Sequence, residues 1–348
     1  MPHNEVRKDY LLDRWVVIAT ERGRRPTDFA KKERQQVNAS ICPMCPGNEH
    51  MTPPAVLAYV QSGTKIAKVS DNNDQRHKNW LVRVVPNLYP AFAPPDNDKT
   101  QEKQPAIHNN LMPAVGHHEV LIESPNHGEH PADARIPQLM LVINAYIDRL
   151  HELSRKRYVK YVSIFRNHGL EAGASLSHAH SQIIATPIIP KTVKDEMEAS
   201  KKFHETHHEC AYCNIIEAEK RGRRLVIENN EFIVFAPFAS VHPTEFWIVP
   251  KKHEMNMLNL TKNEVQSFAE ILKRSLCGLK LLVNDPPYNY GFHLAVAKEA
   301  SDYYHWHLEV YPKLAIWAGF ELSTGMFINT VTPEAAAESL RNTISKEH

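Results

Sequence analysis

SLSHAHSQII, residues 175–184, sets His178, His180 and Gln182 at alternate positions before the chain turns apolar. Successive side chains of a β-strand point to opposite faces, so this spacing puts two imidazoles and an amide on one face. The pattern returns later: HAHSQI at 178–183 matches HWHLEV at 305–310. Working outward, CPMC (42–45) matches CAYC (210–213), and EVLIESPNH (Glu119 to His127) matches EFWIVPKKH (Glu245 to His253). From His127 to His178 is 51 residues and from His253 to His305 is 52, so the chain is an internal duplication.

The intervening segments agree. After His127 a helical pattern over roughly 136–157 has Pro137 near its start and Leu139, Val142, Ile143, Tyr146, Leu150 and Leu153 along one side. A β-rich run follows at 158–167. After His253, Thr261 and Glu264 form a capping box that opens a second helix, and the strand-like run YNYGFHLAV (288–296) comes next. Each half reads strand–strand–helix–strand–strand, an α+β unit built on an antiparallel sheet with packed helices. The expected domains are 1–195 and 196–348, joined by the polar segment near 191–209. Cys45 to His127 spans 82 residues and Cys213 to His253 only 40, so the first half carries an insertion that includes APPDNDKTQEKQP.

Composition bounds the function. With 41 basic and 40 acidic residues no global field steers the chain to nucleic acid or a membrane. No apolar run has the length of a transmembrane helix, and MPHNEVRKDYLLDRW has no signal core. The expectation is a cytoplasmic protein with neither nucleic-acid nor membrane partners.

Four of the five cysteines form two C-x-x-C pairs. With two distant histidines each pair supplies a tetrahedral Cys₂His₂ ligand set. The sets are Cys42, Cys45, His127 and His178, then Cys210, Cys213, His253 and His305. Four protein ligands leave no open coordination position, so the zinc expected at one or both sites is structural. His178 goes to metal, which leaves His180 and Gln182 to meet a substrate. The bland alternative makes the C-x-x-C pairs redox pairs and the histidines hydrogen-bonded structural residues; the paired copies argue against it.

These residues resemble the galactose-1-phosphate uridylyltransferases, a branch of the histidine triad superfamily with two tandem triad folds. RGRRP (22–26), CPMC, PNLYPAF (86–92), SPNH (124–127) and RNHGLEAGASLSHAHSQ (166–182) follow in the family's order, and GFELSTGMFIN (319–329) is similar to a sugar-contacting segment that includes Phe320 and Glu321. The resemblance implies a ping-pong nucleotidyltransferase that exchanges UDP-glucose with galactose 1-phosphate. His180 would be the nucleophile and Gln182 a donor to the phosphoryl oxygens. Arg22 and Arg25 match phosphate contacts, Asn87 a nucleotide-site residue, and Asn167 and Ser175 phosphate or sugar contacts. A homodimer is also implied.

The family's usual H-P-H-G-Q becomes H-A-H-S-Q, with Ala179 and Ser181 in place of Pro and Gly. That variant resembles ADP-glucose phosphorylases, which gives the alternative of an adenylyltransferase using inorganic phosphate. A zinc-stabilised nucleotide-binding module without turnover is the non-enzymatic alternative. Some relatives hold iron at a second site; Glu196, with His293 and His307, stands as the rival to zinc in the second half. Glu309 occupies the position of Gln182 in the second copy, where a carboxylate would repel phosphate, so one catalytic strand is expected.

Overall fold

The computed structural model describes residues 5–18, 41–95 and 112–346. In chain order, β1 (Glu5–Lys8) and β2 (Trp15–Ile18) precede β3 (Leu57–Ser62), β4 (Lys65–Val69), β5 (Trp80–Pro86) and β6 (His117–Ile122). Helix α1 (Ile136–Ser154), β7 (Tyr161–His168) and β8 (His180–Thr186) complete the first half. The second half contains α2 (Lys191–His207), α3 (Ala211–Glu219), β9 (Leu225–Glu228), β10 (Phe232–Phe235), β11 (Phe246–Pro250) and α4 (Lys262–Val283). It continues with β12 (Tyr288–His293), β13 (His307–Pro312), α5 (Gly319–Thr324), β14 (Phe327–Asn329) and α6 (Pro333–Ser345).

The fold is α+β, and the strands of both halves join one eleven-stranded sheet in the order β4–β3–β5–β6–β8–β7–β12–β13–β11–β10–β9. Every pairing in it is antiparallel. The halves meet where β7 pairs with β12, with Asn167 opposite Asn289 and Phe165 opposite Gly291. On either side of this seam the strands follow the same order: β8 then β6 one way, β13 then β11 the other. The sequence duplication is thus a pseudo-two-fold within a continuous sheet. A separate small sheet, β1–β2–β14, ties the N-terminal hairpin to the C-terminal strand.

Cross-strand partners share a face, so register assigns the faces. One face presents Leu121, Ile164, Ile183, Tyr290, Leu308 and Ile248 to α1 and α4, and these side chains belong to a single buried core. Helix α1 forms there because Leu139, Val142, Ile143, Tyr146, Leu150 and Leu153 all fall on its buried side. The expected capping box starts α4: Thr261 Oγ1 accepts from the Glu264 amide (3.3 Å), and Glu264 Oε2 accepts from the Thr261 amide (2.7 Å). The 191–209 join is largely helical; α2 buries Val193, Glu196 and Ser200 along one side.

The opposite face carries the chemistry. Val120 opposes Gln182, Ile122 opposes His180, Phe165 opposes Gln182, Gly291 opposes Glu309 and His293 opposes His307. Gly116 lets β6 come in beside β8, since a Cβ there would lie 2.0 Å from the Ala185 carbonyl oxygen. Among the described residues no helix is long and apolar enough to cross a membrane.

Candidate active site and metal clusters

The first Cys/His cluster assembles over β6 and β8. Cys42, Cys45, His127 and His178 place their ligand atoms within 4.8 Å of one another. His178 Nε2–H donates to the Ser124 carbonyl (2.8 Å), which turns Nδ1 toward Cys45 Sγ (3.4 Å) and Cys42 Sγ (3.7 Å). His127 Nδ1 faces Cys45 Sγ (3.3 Å) while its Nε2 meets Ser177 Oγ (2.9 Å). An outer hydrogen bond that fixes the ring and aims the other nitrogen inward is how metal-binding histidines are held. Burial lowers the His178 pKa to about 4, so the ring is neutral and able to coordinate.

The second cluster repeats this arrangement. Cys210, Cys213, His253 and His305 converge within the same 4.8 Å limit. His253 Nε2–H donates to the Ser301 carbonyl (2.7 Å) and His305 Nε2–H to the Pro250 carbonyl (2.9 Å). Their Nδ1 atoms lie 3.6 and 3.7 Å from Cys213 Sγ. The hydrogen bond from Cys213, with further help from His253 and His305, lowers the Cys210 pKa although burial opposes it. Both sulfur–imidazole sets fit a tetrahedral metal.

Glu196, His293, His307 and Glu309 form a third cluster, also within 4.8 Å. Glu196 is therefore not a rival for the second Cys₂His₂ set; the two sit side by side because His305 faces one and His307 the other. The Glu196 carboxylate accepts from His293 Nδ1 (2.9 Å) and the Tyr304 hydroxyl (3.0 Å). His307 Nδ1–H donates to the His305 carbonyl (3.2 Å), so Nε2 faces Glu309 Oε1 at 3.2 Å. A proton or a cation must sit between that nitrogen and the carboxylate. Although burial opposes it, Glu196 and Glu309 carry the His293 pKa up to about 9. Two carboxylates and two imidazoles suit a divalent transition metal.

His180 lies at the start of β8 and is 8% exposed, while His178 precedes the strand. The His180 Nδ1–H donates to the His178 carbonyl (2.7 Å), which leaves Nε2 with its lone pair. Burial lowers its pKa; the bond to His178 works against this and the Arg166 charge adds to it. The ring is therefore held neutral, with Nε2 unprotonated. From β7, Arg166 Nη1 donates to the His180 carbonyl (3.0 Å) and pairs with Glu123 (3.2 Å).

Gln182 is half-buried on the same face and meets His118 through Oε1 (2.8 Å). Asn87 turns the loop after β5: its amide donates to the His118 carbonyl (2.8 Å), and its Oδ1 accepts from the Tyr89 amide (2.9 Å). Asn167 Oδ1 accepts from Asn289 (2.8 Å) across the seam. Ser175 is exposed on the segment before His178. Phe320 and Glu321 stand on α5, where Glu321 Oε2 accepts from the Ala318 amide (2.9 Å) and so caps its own helix. Arg22 and Arg25 lie outside the described residues.

Ala179 and Ser181 do not border this face. Ser181 Oγ accepts from Tyr146 of α1 (2.8 Å), and Ala179 is fully buried with its carbonyl accepting from Glu123 (3.0 Å). The departure from H-P-H-G-Q therefore alters packing under the strand. Arg166, Glu123 and His118 escaped the sequence reading. Parity along β6 could have flagged His118, which alternates with Val120 and Ile122, but its contact depends on the β6–β8 register.

A family model described as galactose-1-phosphate uridyl transferase, N-terminal domain, matches residues 1–190, and one described as a domain of unknown function matches residues 136–348. The chain is 35% identical over 344 residues to an ADP-glucose phosphorylase from Arabidopsis thaliana, covering 97% of this chain and 92% of that protein. It is 32% identical over 351 residues to a galactose-1-phosphate uridylyltransferase from Thermotoga maritima, covering 97% and 98%. A crystal structure of the Arabidopsis ADP-glucose phosphorylase with bound ADP-glucose superposes with a TM-score of 0.80, at 32% identity over 97% of this chain and 99% of that one. A uridylyltransferase structure gives 0.73, at 29% identity over 99% of each chain. These likenesses run through both halves and through the strand that carries His180, and the chain belongs to the galactose-1-phosphate uridylyltransferase family of nucleotidyltransferases.

Proposed function

We propose that the chain moves a nucleoside monophosphate from a nucleotide sugar to a second phosphate through a covalent intermediate on His180. The observation that carries this is the bond from His180 Nδ1 to the His178 carbonyl, which fixes a neutral ring with an unprotonated Nε2. That lone pair attacks the α-phosphorus; an N–P bond forms as the P–O bond to the sugar 1-phosphate breaks. Gln182, next on the same face, donates its amide to the phosphoryl oxygens as charge builds on them. An oxygen of the acceptor phosphate then attacks the same phosphorus and frees the imidazole.

The sequence favours uridylyl exchange between UDP-glucose and galactose 1-phosphate. The identity and TM-score to the ADP-glucose phosphorylase add weight to ADP-glucose with inorganic phosphate as acceptor. The two Cys₂His₂ clusters would hold structural zinc, and the Glu/His cluster would take a further ion such as iron. A cytoplasmic homodimer completes the reading; none of the five cysteines is in a disulfide.

Intact-protein mass spectrometry after incubation with UDP-glucose or ADP-glucose, with no acceptor, tests it. A uridylyl or adenylyl adduct that is absent from His180→Ala establishes the intermediate and names the base. No adduct with either donor refutes the covalent reading, and unchanged nucleotide affinity in His180→Ala would then favour a binding module.

A further inference from the structure

His118 lies diagonally across from Gln182 on the active face, since it opposes Ile184 while Gln182 opposes Val120. The Ala91 backbone N–H donates to His118 Nδ1 at 3.1 Å. A backbone amide can only donate, so Nδ1 must accept, and in the neutral ring the proton then sits on Nε2. Nε2 is 2.8 Å from Gln182 Oε1 and 3.1 Å from Asn87 Nδ2. Because Asn87 Oδ1 already accepts from the Tyr89 amide (2.9 Å), Asn87 offers Nε2–H only another donor. The acceptor for Nε2–H is Gln182 Oε1.

A flipped Gln182 would set its NH₂ against Nε2–H, and moving the ring proton to Nδ1 would set two N–H groups against each other at Ala91. One backbone hydrogen bond thus determines the ring tautomer, and the tautomer determines which end of the Gln182 amide is left for a ligand. We propose that His118 is a positioning residue: it fixes the Gln182 side chain with its oxygen inward, so that the NH₂ end is presented to the phosphoryl group. The proposal rests on the role given to Gln182 above.

The test uses the full-length protein with ADP-glucose and with UDP-glucose, and follows kcat, KM and single-turnover nucleotidylation. Gln182→Ala loses about 100-fold in rate, as for removal of one transition-state donor. His118→Glu offers Gln182 only an acceptor, so the amide turns its oxygen outward and the rate falls to about the Gln182→Ala level. His118→Gln keeps an N–H donor near the Nε2 position and recovers most of the rate, while KM moves little in either variant. His118→Ala has no added effect in a Gln182→Ala background.

Equal rates for His118→Glu and His118→Gln, or a full additional loss from His118→Ala in the Gln182→Ala background, would overturn the positioning role alone. Undiminished activity in Gln182→Ala would instead remove the phosphate role of Gln182, and this proposal with it. The Glu and Gln variants are close in size, so a general packing defect would affect both alike.

Discussion

Removal of the Arg166 guanidinium gives the sharpest test of how the His180 strand is supported. Arg166 is 1% exposed and its partner Glu123 is 3% exposed. Arg166→Met leaves a buried carboxylate without its cation, a loss of about 3–5 kcal/mol. It also strips a donor from the His180 carbonyl, an effect of about 1–3 kcal/mol that overlaps with the first. Burial pushes the Glu123 pKa up and Arg166 opposes this, so without the arginine the pKa rises further.

A carboxyl with a raised native pKa binds its proton more tightly folded than unfolded. Its contribution is fully present below the ordinary value of 4.5 and is lost as pH rises through the native value. The Arg166→Met defect should accordingly be larger at pH 8 than at pH 4.5. Urea unfolding followed by tryptophan fluorescence at both pH values measures it. The double variant Arg166→Met, Glu123→Met removes both charges and should recover all but about 1–3 kcal/mol. A defect under about 1 kcal/mol in the single variant, or a double variant no more stable than it, refutes the reasoning.

Cys42→Ala should lose about one equivalent of zinc, read by elemental analysis, and unfold at lower temperature; unchanged metal content rules out the first cluster as a metal site. Asp71 is held at about 2: burial would raise it, but amide bonds from His77 and Ala55 and the Arg83 contact dominate. Its stabilisation is present above the ordinary 3.8 and is lost as pH falls toward 2. Melting curves of Asp71→Asn and the parent should therefore differ at pH 7, draw together below pH 3.8 and converge only at about pH 2. Thr261→Ala removes the side-chain cap of α4 and should lower stability by about 1 kcal/mol in chemical denaturation.

Most of the repeat was legible because its evidence is local to the chain: residue spacing, a capping box, the side of a helix on which leucines fall. The Cys₂His₂ sets were readable for the same reason, since each pairs a C-x-x-C with histidines at a matched interval. The seam was not. That β7 lies beside β12 is a matter of strand neighbourhood, and no spacing within either half encodes it. Glu196 and the second Cys₂His₂ set read as competitors because both wanted His305 or its neighbours. On a strand entry His305 and His307 serve different clusters, which only the three-dimensional arrangement displays. His118 was silent because its role depends on a diagonal contact and a loop amide from Ala91.

The seam between β7 and β12 also bears on how the two copies were free to diverge. In a symmetric pair of separate, identical chains, any substitution appears in both sites at once, so neither can abandon its task without the other. Here the equivalent surface is internal to one polypeptide and each copy has its own codons. Gln182 is an amide while its counterpart is Glu309, a carboxylate in a cluster with Glu196, His293 and His307. The continuous sheet preserved the shared scaffold, and covalent linkage released the two sites from having to be the same.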